Sequence, residues 1–155
     1  MLSKVFPLNT FPAYQYVVIL SRMDGKWLLS RHRERSTWET QGGHIEEGET
    51  PLEAARRELY EESGATDYDI RPLCDYWAGD RQGSAVGVVF LAEIRALGPL
   101  PDSEMAEVRT FALLPDCLTY PGITPVLARE AQAALYGTIG VSAPSARLPM
   151  RGGWQ

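Results

Sequence analysis

Apolar runs alternate with polar turn segments along the chain, and this pattern predicts a mixed α/β fold. Residues 14–21 and 26–31 are rich in strand-forming side chains, and the Met23-Asp24-Gly25 segment between them predicts a hairpin. Two further strands are predicted at residues 69–77 and 85–93, with a loop at residues 78–83 between them.

The last third of the chain carries weaker periodicity. The predicted strand at residues 85–93 is almost continuously apolar, which is typical of a central strand buried on both faces. Residues 108–113 are predicted to form one more strand. Residues 124–136 have a helix-forming composition, with Pro125 in the first turn and Gly137 as a stop signal, and therefore predict a second helix.

The clearest local signals surround a predicted helix that follows Thr50. Thr50 and Glu53 have the spacing of a capping box, in which each side chain binds the backbone N–H of the other residue. Pro51 suits the first helical position, and Gly64 suits the left-handed residue that ends many helices. The start and the end of this helix are therefore both predicted.

This helix presents an apolar side and an acidic side. Its apolar side carries Leu52, Ala55 and Leu59, whereas a separate side carries three glutamates at i, i+3 and i+4, namely Glu58, Glu61 and Glu62. Like charges at this spacing destabilise a helix by about 0.2–0.5 kcal/mol per pair, so they need either free solvation or a cation. Spacing alone leaves both interpretations open and favours the solvated face.

Length and composition indicate one globular domain, expected over residues 1–136. With 155 residues, 45% hydrophobic and 23% charged, the chain can bury a sizeable core. Residues 137–155 contain Gly, Pro and Ser and are expected to form a C-terminal tail. The two cysteines lack metal or redox spacing, and no apolar run has the length of a membrane span, so we expect a cytoplasmic protein.

The acidic residues are concentrated in one segment. The formal net charge is -5, and seven of the 20 Asp and Glu residues lie between positions 46 and 62. Broad binding to DNA or to an anionic membrane requires basic surface, so the charge argues against both partners. The same argument disfavours a 5′-triphosphate RNA end as a substrate.

A glycine-containing segment at residues 40–44, predicted as a loop, precedes the capped helix. From there the fixed positions run Gly43, five residues, Glu49, seven residues, Arg57-Glu58-Leu59, one residue, Glu61-Glu62, one residue, Gly64-Ala65. This pattern resembles the Nudix box of the Nudix (MutT-like) hydrolases, and the wider resemblance covers residues 14–136. Two positions depart from the family pattern, since Ala65 is small and Gln41 stands where many members carry proline.

The resemblance implies an α/β/α sandwich with a mixed central sheet and the Nudix loop-helix. It also implies hydrolysis of a diphosphate linkage with Mg²⁺, for which Mn²⁺ can substitute, because hard oxygen ligands suit both ions. The implied metal ligands are Glu58, Glu61 and Glu62 together with a carbonyl of Gly42 or Gly43. Glu58 is the implied general base within the box, and Glu61 belongs to the same catalytic set.

Other residues are assigned supporting roles. By resemblance, Arg57 and Glu49 pair and steady the loop and the carboxylates, whereas an ordinary surface ion pair is the alternative. Candidate substrate contacts are His44, close to the expected phosphates, and Trp38, which can stack on a base or belong to the core. Glu107 or Glu104 is the candidate ligand or base from outside the box, unless both are plain exposed residues beside a strand.

The box indicates a reaction type and leaves the substrate open. A small-molecule nucleoside triphosphate, including an oxidised one, fits a small single domain, and ADP-ribose or a dinucleoside polyphosphate is the alternative. A catalytically silent nucleotide-binding regulatory module is the alternative from another class, which is expected to show eroded carboxylates or an appended DNA-binding domain. The resemblance also admits a homodimer.

Overall fold

The computed structural model describes residues 1–136, and the predicted tail at residues 137–155 lies outside them. The described residues form one eight-stranded sheet with helices on both faces. No helix among them is both long and apolar enough to cross a bilayer. The elements are β1 (Leu2–Phe6), β2 (Tyr16–Met23), β3 (Lys26–His32), β4 (Trp38–Glu39), β5 (Gln41–His44), α1 (Pro51–Ser63), β6 (Ala65–Asp80), β7 (Gly83–Leu97), β8 (Met105–Phe111) and α2 (Thr124–Tyr136).

The sheet is mixed, as predicted. Its strand order is β1-β6-β7-β2-β3-β4, with β5 paired to β2 and β8 paired to β3. The pair formed by β2 and β7 is parallel, and the other strand pairs are antiparallel. The apolar strand β7 therefore lies in the interior of the sheet, which confirms its predicted central position.

Two hydrophobic clusters, one on each face of the sheet, form the core. In β7, Val88 and Phe90 pack with the α1 residues Ala55 and Leu59, whereas Val89 packs on the opposite side with the α2 cluster. This alternation follows from the two-residue period of a strand. The α/β/α sandwich is thereby confirmed.

The predicted hairpin between β2 and β3 has a two-residue turn. Met23 pairs with Lys26, which leaves Asp24 and Gly25 as the turn residues. Both have positive φ values, 51° and 73°. Glycine adopts this conformation freely and aspartate tolerates it, so the Asp-Gly pair sets the hairpin register.

The predicted loop at residues 78–83 is wrong. Strand β6 continues to Asp80 and β7 begins at Gly83, so only Arg81 and Gln82 form the turn. Strand β1, which the sequence pattern did not predict, pairs with this part of β6 in the register Leu2↔Gly79. With β1 on one side and β7 on the other, the backbone of this segment is hydrogen-bonded despite its weak strand propensity.

The predicted loop at residues 40–44 is also wrong, because β5 occupies residues 41–44. It pairs antiparallel with β2, with Gly43 opposite Val17 and Gly42 opposite Val18. A Cβ atom at Gly42 would collide with the Val17 backbone oxygen. Absence of a side chain therefore allows this strand to approach β2 closely, directly before the segment that leads to α1.

Candidate active site

Helix α1 is held at both ends by the predicted caps. Thr50 Oγ1 accepts the backbone N–H of Glu53 at 3.1 Å, and the Glu53 carboxylate accepts the Thr50 N–H at 3.2 Å. At the other end Gly64 is left-handed, with φ of 76°, and its N–H binds the carbonyl of Tyr60. These caps fix where the helix begins and ends, and so fix which side of it carries the glutamates.

Arg57 ties the segment before α1 to the helix itself. Its Nε and Nη2 atoms bind the two carboxylate oxygens of Glu49 at 2.7 and 2.9 Å, and Nη2 also donates to the His44 carbonyl at 3.1 Å. Hydrogen bonds from Arg57 hold the pKa of Glu49 below its usual value. The pair predicted from the family resemblance is therefore present as a bidentate ion pair.

Glu58 lies between Arg57 and the glycine strand. Its Oε1 atom is 2.8 Å from Arg57 Nη1, and a Cβ atom at Gly43 would come within 2.5 Å of the same oxygen. Burial raises the pKa of Glu58, while Arg57 opposes that shift. Glu61 is 48% exposed and its carboxylate lies 3.5 Å from Arg57 Nη1. Glu58 and Glu61 thus share the guanidinium of Arg57.

Glu62 points to β5. Its Oε1 atom accepts the Gly42 backbone N–H at 2.7 Å. Burial raises the pKa of Glu62 to about 8, the Gly42 hydrogen bond opposes the shift, and the negative charges of Glu58, Glu39 and Glu104 reinforce it. The site thus holds several carboxylates near one another, of which Glu39 is buried and Glu104 is 82% exposed, and such a cluster of negative charge favours a cation.

Gln41, which departs from the family pattern, forms a buried polar network beneath Glu62. Its side-chain oxygen accepts from Ser21 Oγ at 2.7 Å, and its Nε2 donates to Ser30 Oγ at 2.9 Å and to the Leu28 carbonyl at 3.2 Å. Ser30 Oγ in turn donates to the Glu62 carbonyl at 2.8 Å. The glutamine therefore links three strands to the end of α1.

A cavity of about 650 Å³ opens beside this network. One end, here called the acidic end, is lined by Glu39, Gly42, Gly43, Glu62 and Glu104. The other end, here called the tyrosine end, is lined by Tyr16, Tyr76 and Tyr120 together with small and apolar residues and polar side chains that include Asp80 and Gln82. Cavities of this size enclose most of a small organic ligand.

The tyrosine end combines residues from separate parts of the chain. Tyr76 is 5% exposed and Tyr120 is 42% exposed. Burial raises the pKa of Tyr76, and the nearby hydroxyls of Tyr16 and Tyr120 act in the same direction. Tyr76 itself packs in the core cluster, so the aromatic surface available at this end comes from Tyr120 and the partly buried Tyr16, and it suits a flat heterocycle.

The three predicted substrate contacts occupy different positions. The His44 ring is exposed and stacks on Tyr16, with 4.1 Å between ring centroids. Trp38 is 5% exposed and packs in the core against Phe111, so its ring has no free face toward the cavity. Glu107 binds Arg109 at 2.8 Å and does not line the cavity. Core packing therefore explains Trp38 better than base stacking.

Two glutamates from outside the box line the cavity, one exposed (Glu104, 82%) and one buried (Glu39), and a role for either as ligand or base stays a prediction. Glu104, the second of the two candidates, lines the cavity beside His32, with 3.6 Å between Glu104 Oε2 and His32 Nε2. Glu39 also lines it and is 6% exposed, although nothing in the sequence pattern singled it out. Strand β4 has only two residues, which is too short to show a periodicity that predicts the burial of Glu39. The only signal in the sequence was that Glu39 lies next to the glycine segment.

The residues present fit a hard divalent cation in donor chemistry. Carboxylate oxygens and backbone carbonyls are ligands that Mg²⁺ and Mn²⁺ prefer. Within residues 1–136, no group of three or more His, Cys, Asp and Glu side chains is arranged to hold a metal ion. Arg57 Nη1 lies 2.8 Å from the Glu58 carboxylate and 3.5 Å from that of Glu61, so the guanidinium already neutralises part of their charge.

The chain belongs to the Nudix family. The NUDIX domain matches residues 12–118, more than half of the 155 residues. The match covers strands β2 to β8 and the capped helix α1 with its carboxylates, and β1 and α2 lie on either side of it.

Two curated relatives align with part of the chain. YtkD of Bacillus subtilis, whose name assigns it provisionally as an 8-oxo-dGTP diphosphatase, is 35% identical over 83 residues, 54% of this chain and 52% of that protein. An RNA pyrophosphohydrolase of Photobacterium profundum is 39% identical over 56 residues, 36% of this chain and 32% of that protein. The chain thus spans about half or less of the length of these relatives.

Solved structures support the fold. The crystal structure of a Bacillus subtilis pyrophosphohydrolase, BsRppH, superposes with a TM-score of 0.73 and 22% identity, covering 88% of this chain and 93% of that one. At this level of identity the likeness concerns the fold alone. Substrate specificity depends on the side chains that line the cavity rather than on the fold.

Proposed function

We propose that the chain is a Mg²⁺-dependent pyrophosphohydrolase whose substrate is a nucleoside triphosphate or its oxidised form. The observation that carries this proposal is one cavity that joins the box residues Gly42, Gly43 and Glu62 to a tyrosine-lined end. Phosphates need charge neutralisation and a base needs an aromatic surface, and the two ends meet these two needs. The name of the Bacillus relative YtkD supports the same substrate class.

In this proposal Glu58, Glu61 and Glu62 hold Mg²⁺ together with a carbonyl of Gly42 or Gly43, and Mn²⁺ can replace it. The ion, when bound, supplies positive charge that neutralises the phosphates of the substrate. An acidic protein with a charge of -5 thereby accepts an anionic substrate. Glu61, the most exposed of the three, has the freedom to turn away from Arg57 toward the other two carboxylates.

Glu58 is the proposed general base. It removes a proton from the water that attacks phosphorus, while the bond from that phosphorus to the leaving pyrophosphate breaks and a nucleoside monophosphate is released. Arg57, at 2.8 Å, favours the ionised form of Glu58 that this step requires. Glu49 keeps the guanidinium in place through its two hydrogen bonds.

The substrate's base is proposed to lie at the tyrosine end. Tyr120 is partly exposed there and can stack on a ring. His44, next to Gly43 in β5 and 4.1 Å from Tyr16 between ring centroids, is proposed to contact the substrate between its base and its phosphates. Glu104 is the proposed carboxylate from outside the box, in preference to Glu107, because it lines the cavity. We further propose a cytoplasmic protein whose domain comprises residues 1–136 and that can form a homodimer.

Hydrolysis of a nucleotide panel tests this proposal. Purified protein with Mg²⁺ or Mn²⁺ is offered dGTP, 8-oxo-dGTP, ATP, ADP-ribose and diadenosine tetraphosphate in ¹⁸O-labelled water, with products analysed by mass spectrometry. The expected result is turnover of a triphosphate, with the label in the monophosphate. Faster hydrolysis of ADP-ribose or of diadenosine tetraphosphate than of any triphosphate would contradict the proposed substrate and identify that compound's class instead. Calorimetric binding without turnover on any member would instead favour the silent regulatory module.

A further inference from the structure

A second depression, here called the arginine groove, lies next to the cavity. Four arginines line it together with two glutamates, a serine and a tryptophan, namely Arg31, Arg33, Arg35, Arg109, Glu34, Glu107, Ser36 and Trp38, so positive charges outnumber negative ones by two. Four of the 15 basic residues of an acidic chain therefore line one groove. Such local concentration of positive charge is the opposite of what the net charge of -5 suggests.

The groove continues from the acidic end of the cavity. Arg35 lines both depressions, and its Nη1 atom lies 3.4 Å from the carboxylate of Glu39, one of the acidic-end residues. His32, in the same segment, lines the cavity beside Glu104. An anion bound in the arginine groove would therefore be adjacent to the phosphate-binding end of the cavity rather than to its tyrosine end.

Arg33 and Arg109 have accessible guanidinium groups, although all four arginines are paired: Arg31 and Arg109 with Glu107, Arg33 with Asp102 and the Ser103 carbonyl, and Arg35 with Glu39. Arg33 is 53% exposed, and its nearest carboxylate, Asp102, is fully solvent-exposed at 3.4 Å. Arg109 is 56% exposed and its guanidinium lies over the Trp38 ring, 4.9 Å from the centroid. Exposed ion pairs contribute about 0–1 kcal/mol, so a phosphate can displace them. Stacking on the tryptophan keeps the Arg109 plane oriented.

We propose that the arginine groove binds the distal phosphates of a substrate that carries at least three phosphates in a row. Arginine forks match phosphate oxygens bidentately, and the groove lies on the side of the cavity where the phosphate chain would leave it. This inference rests on the proposed function and deepens it. It favours nucleoside triphosphates and other polyphosphate chains over ADP-ribose, which has only two phosphates.

The phosphate chain can belong to a free nucleotide, a dinucleoside polyphosphate or a triphosphorylated oligonucleotide end. The test therefore compares kcat/KM for ATP, ADP, diadenosine tetraphosphate and a 5′-triphosphorylated trinucleotide in wild type and in the double variant Arg33→Gln, Arg109→Gln. Arg95→Gln is the matched control, because Arg95 is 50% exposed and pairs with Asp67 and Asp69 elsewhere on the sheet. The relative rates of the three polyphosphates identify the source of the chain.

The expected result is a wild-type preference for ATP over ADP that falls about tenfold in the double variant, since hydrogen bonds to charged groups contribute roughly that much. The control keeps the wild-type ratio. Equal losses on ATP and ADP, or no change on either, would overturn the proposal.

Binding of inorganic polyphosphate provides a readout that does not need turnover. By calorimetry, wild type should bind tripolyphosphate more tightly than pyrophosphate, and the double variant should lose this preference. A protein that hydrolyses nothing yet keeps the preference would refute the proposed function and leave the groove assignment standing. Absence of the preference in wild type would overturn the groove assignment whatever the hydrolysis panel shows.

Discussion

The acidic end and the tyrosine end of the cavity are built in different ways. Most of the acidic end comes from one stretch, in which β5 leads into the capped helix α1 and Glu62 returns to bind Gly42. The tyrosine end combines Tyr16, Tyr76 and Tyr120, which are far apart in the chain. Local spacing therefore encodes most of the proposed metal-binding and catalytic residues, whereas long-range strand pairing assembles the proposed surface for the variable half of the substrate.

This difference gives the two ends separate roles that substitution can test. Changes at the acidic end should lower kcat for every substrate, because they affect the groups that act on the shared diphosphate. Changes at the tyrosine end should mainly raise KM and should do so unequally for different bases. A substitution at one end that changed the kinetic constant expected of the other end would show that the two ends do not have separate roles.

Glu62→Gln and Glu61→Gln should have the largest effect. Each removes a carboxylate charge from the proposed metal set, and loss of a group that acts on charge or protons in the transition state typically costs about 10²–10⁴-fold. Glutamine in place of Glu62 can still accept the Gly42 N–H, so the fold should persist. Steady-state kcat on a triphosphate and Mn²⁺ affinity by electron paramagnetic resonance are the measurements. Glu47→Gln, an exposed neighbour, is the control, and wild-type activity in either variant would contradict the assignment.

Arg57→Lys should have the next largest effect. Lysine keeps the positive charge but cannot bind both oxygens of Glu49 while also reaching Glu58. We expect kcat to fall about 10–100-fold, the usual cost of losing a residue that orients ligands. Arg56→Lys on the neighbouring, exposed position should change kcat little. Similar losses in both variants would show that Arg57 has no special role.

Tyr120→Ala tests the tyrosine end. Removing the ring should raise KM about five- to tenfold, because stacking on a base contributes about 1 kcal/mol or more, while kcat stays near the wild-type value. The KM ratio between purine and pyrimidine triphosphates should also shift. Tyr60→Ala removes an equally exposed ring from the outer side of α1 and serves as the control. A fall in kcat with unchanged KM would instead assign Tyr120 to the reaction.

Removal of divalent metal should have the smallest effect on the fold. The α1 caps, the Arg57–Glu49 pair and the buried Leu59 hold the helix without a cation. Weakly bound Mg²⁺ at a few times its Kd contributes about 1 kcal/mol, or about 2–4 °C in Tm. Calorimetric scans with and without chelator measure this shift, while activity should be abolished. Unfolding on chelation would show that the acidic end depends on metal for its structure.

The chain's own local signals predicted helix α1 and its caps, whereas the assembly of its three glutamates into a metal site stays a prediction. The capping box at Thr50, the stop at Gly64 and the carboxylate spacing of Glu58, Glu61 and Glu62 all depend on contacts within a few residues. Helical geometry converts such spacing directly into a shared face. The glycine segment before the helix was placed correctly but predicted as a loop, since its pairing with β2 is not a local property.

Tertiary structure alone decided the rest of the cavity. Strand β1 depends on partners more than 60 residues away, as in the pair Leu2↔Gly79, and it lies beside the end of β6 for which the sequence pattern predicted a loop. Glu39 and Gln41 sit in the interior because β4 and β5 lie against β3 and β2, and a buried polar side chain is stable only once those partners satisfy it.

What the sequence by itself determined is thus the capped helix, because short-range geometry fixes it, and the family, because the box pattern resembles that of the Nudix hydrolases. Tertiary structure decided which glutamate from outside the box faces the cavity, that Trp38 belongs to the core, and that three tyrosines meet. It also gathered the arginines into one groove. The physical reason is that strand register brings distant residues together, and register is set by the packing of the whole sheet rather than by the residues near the site.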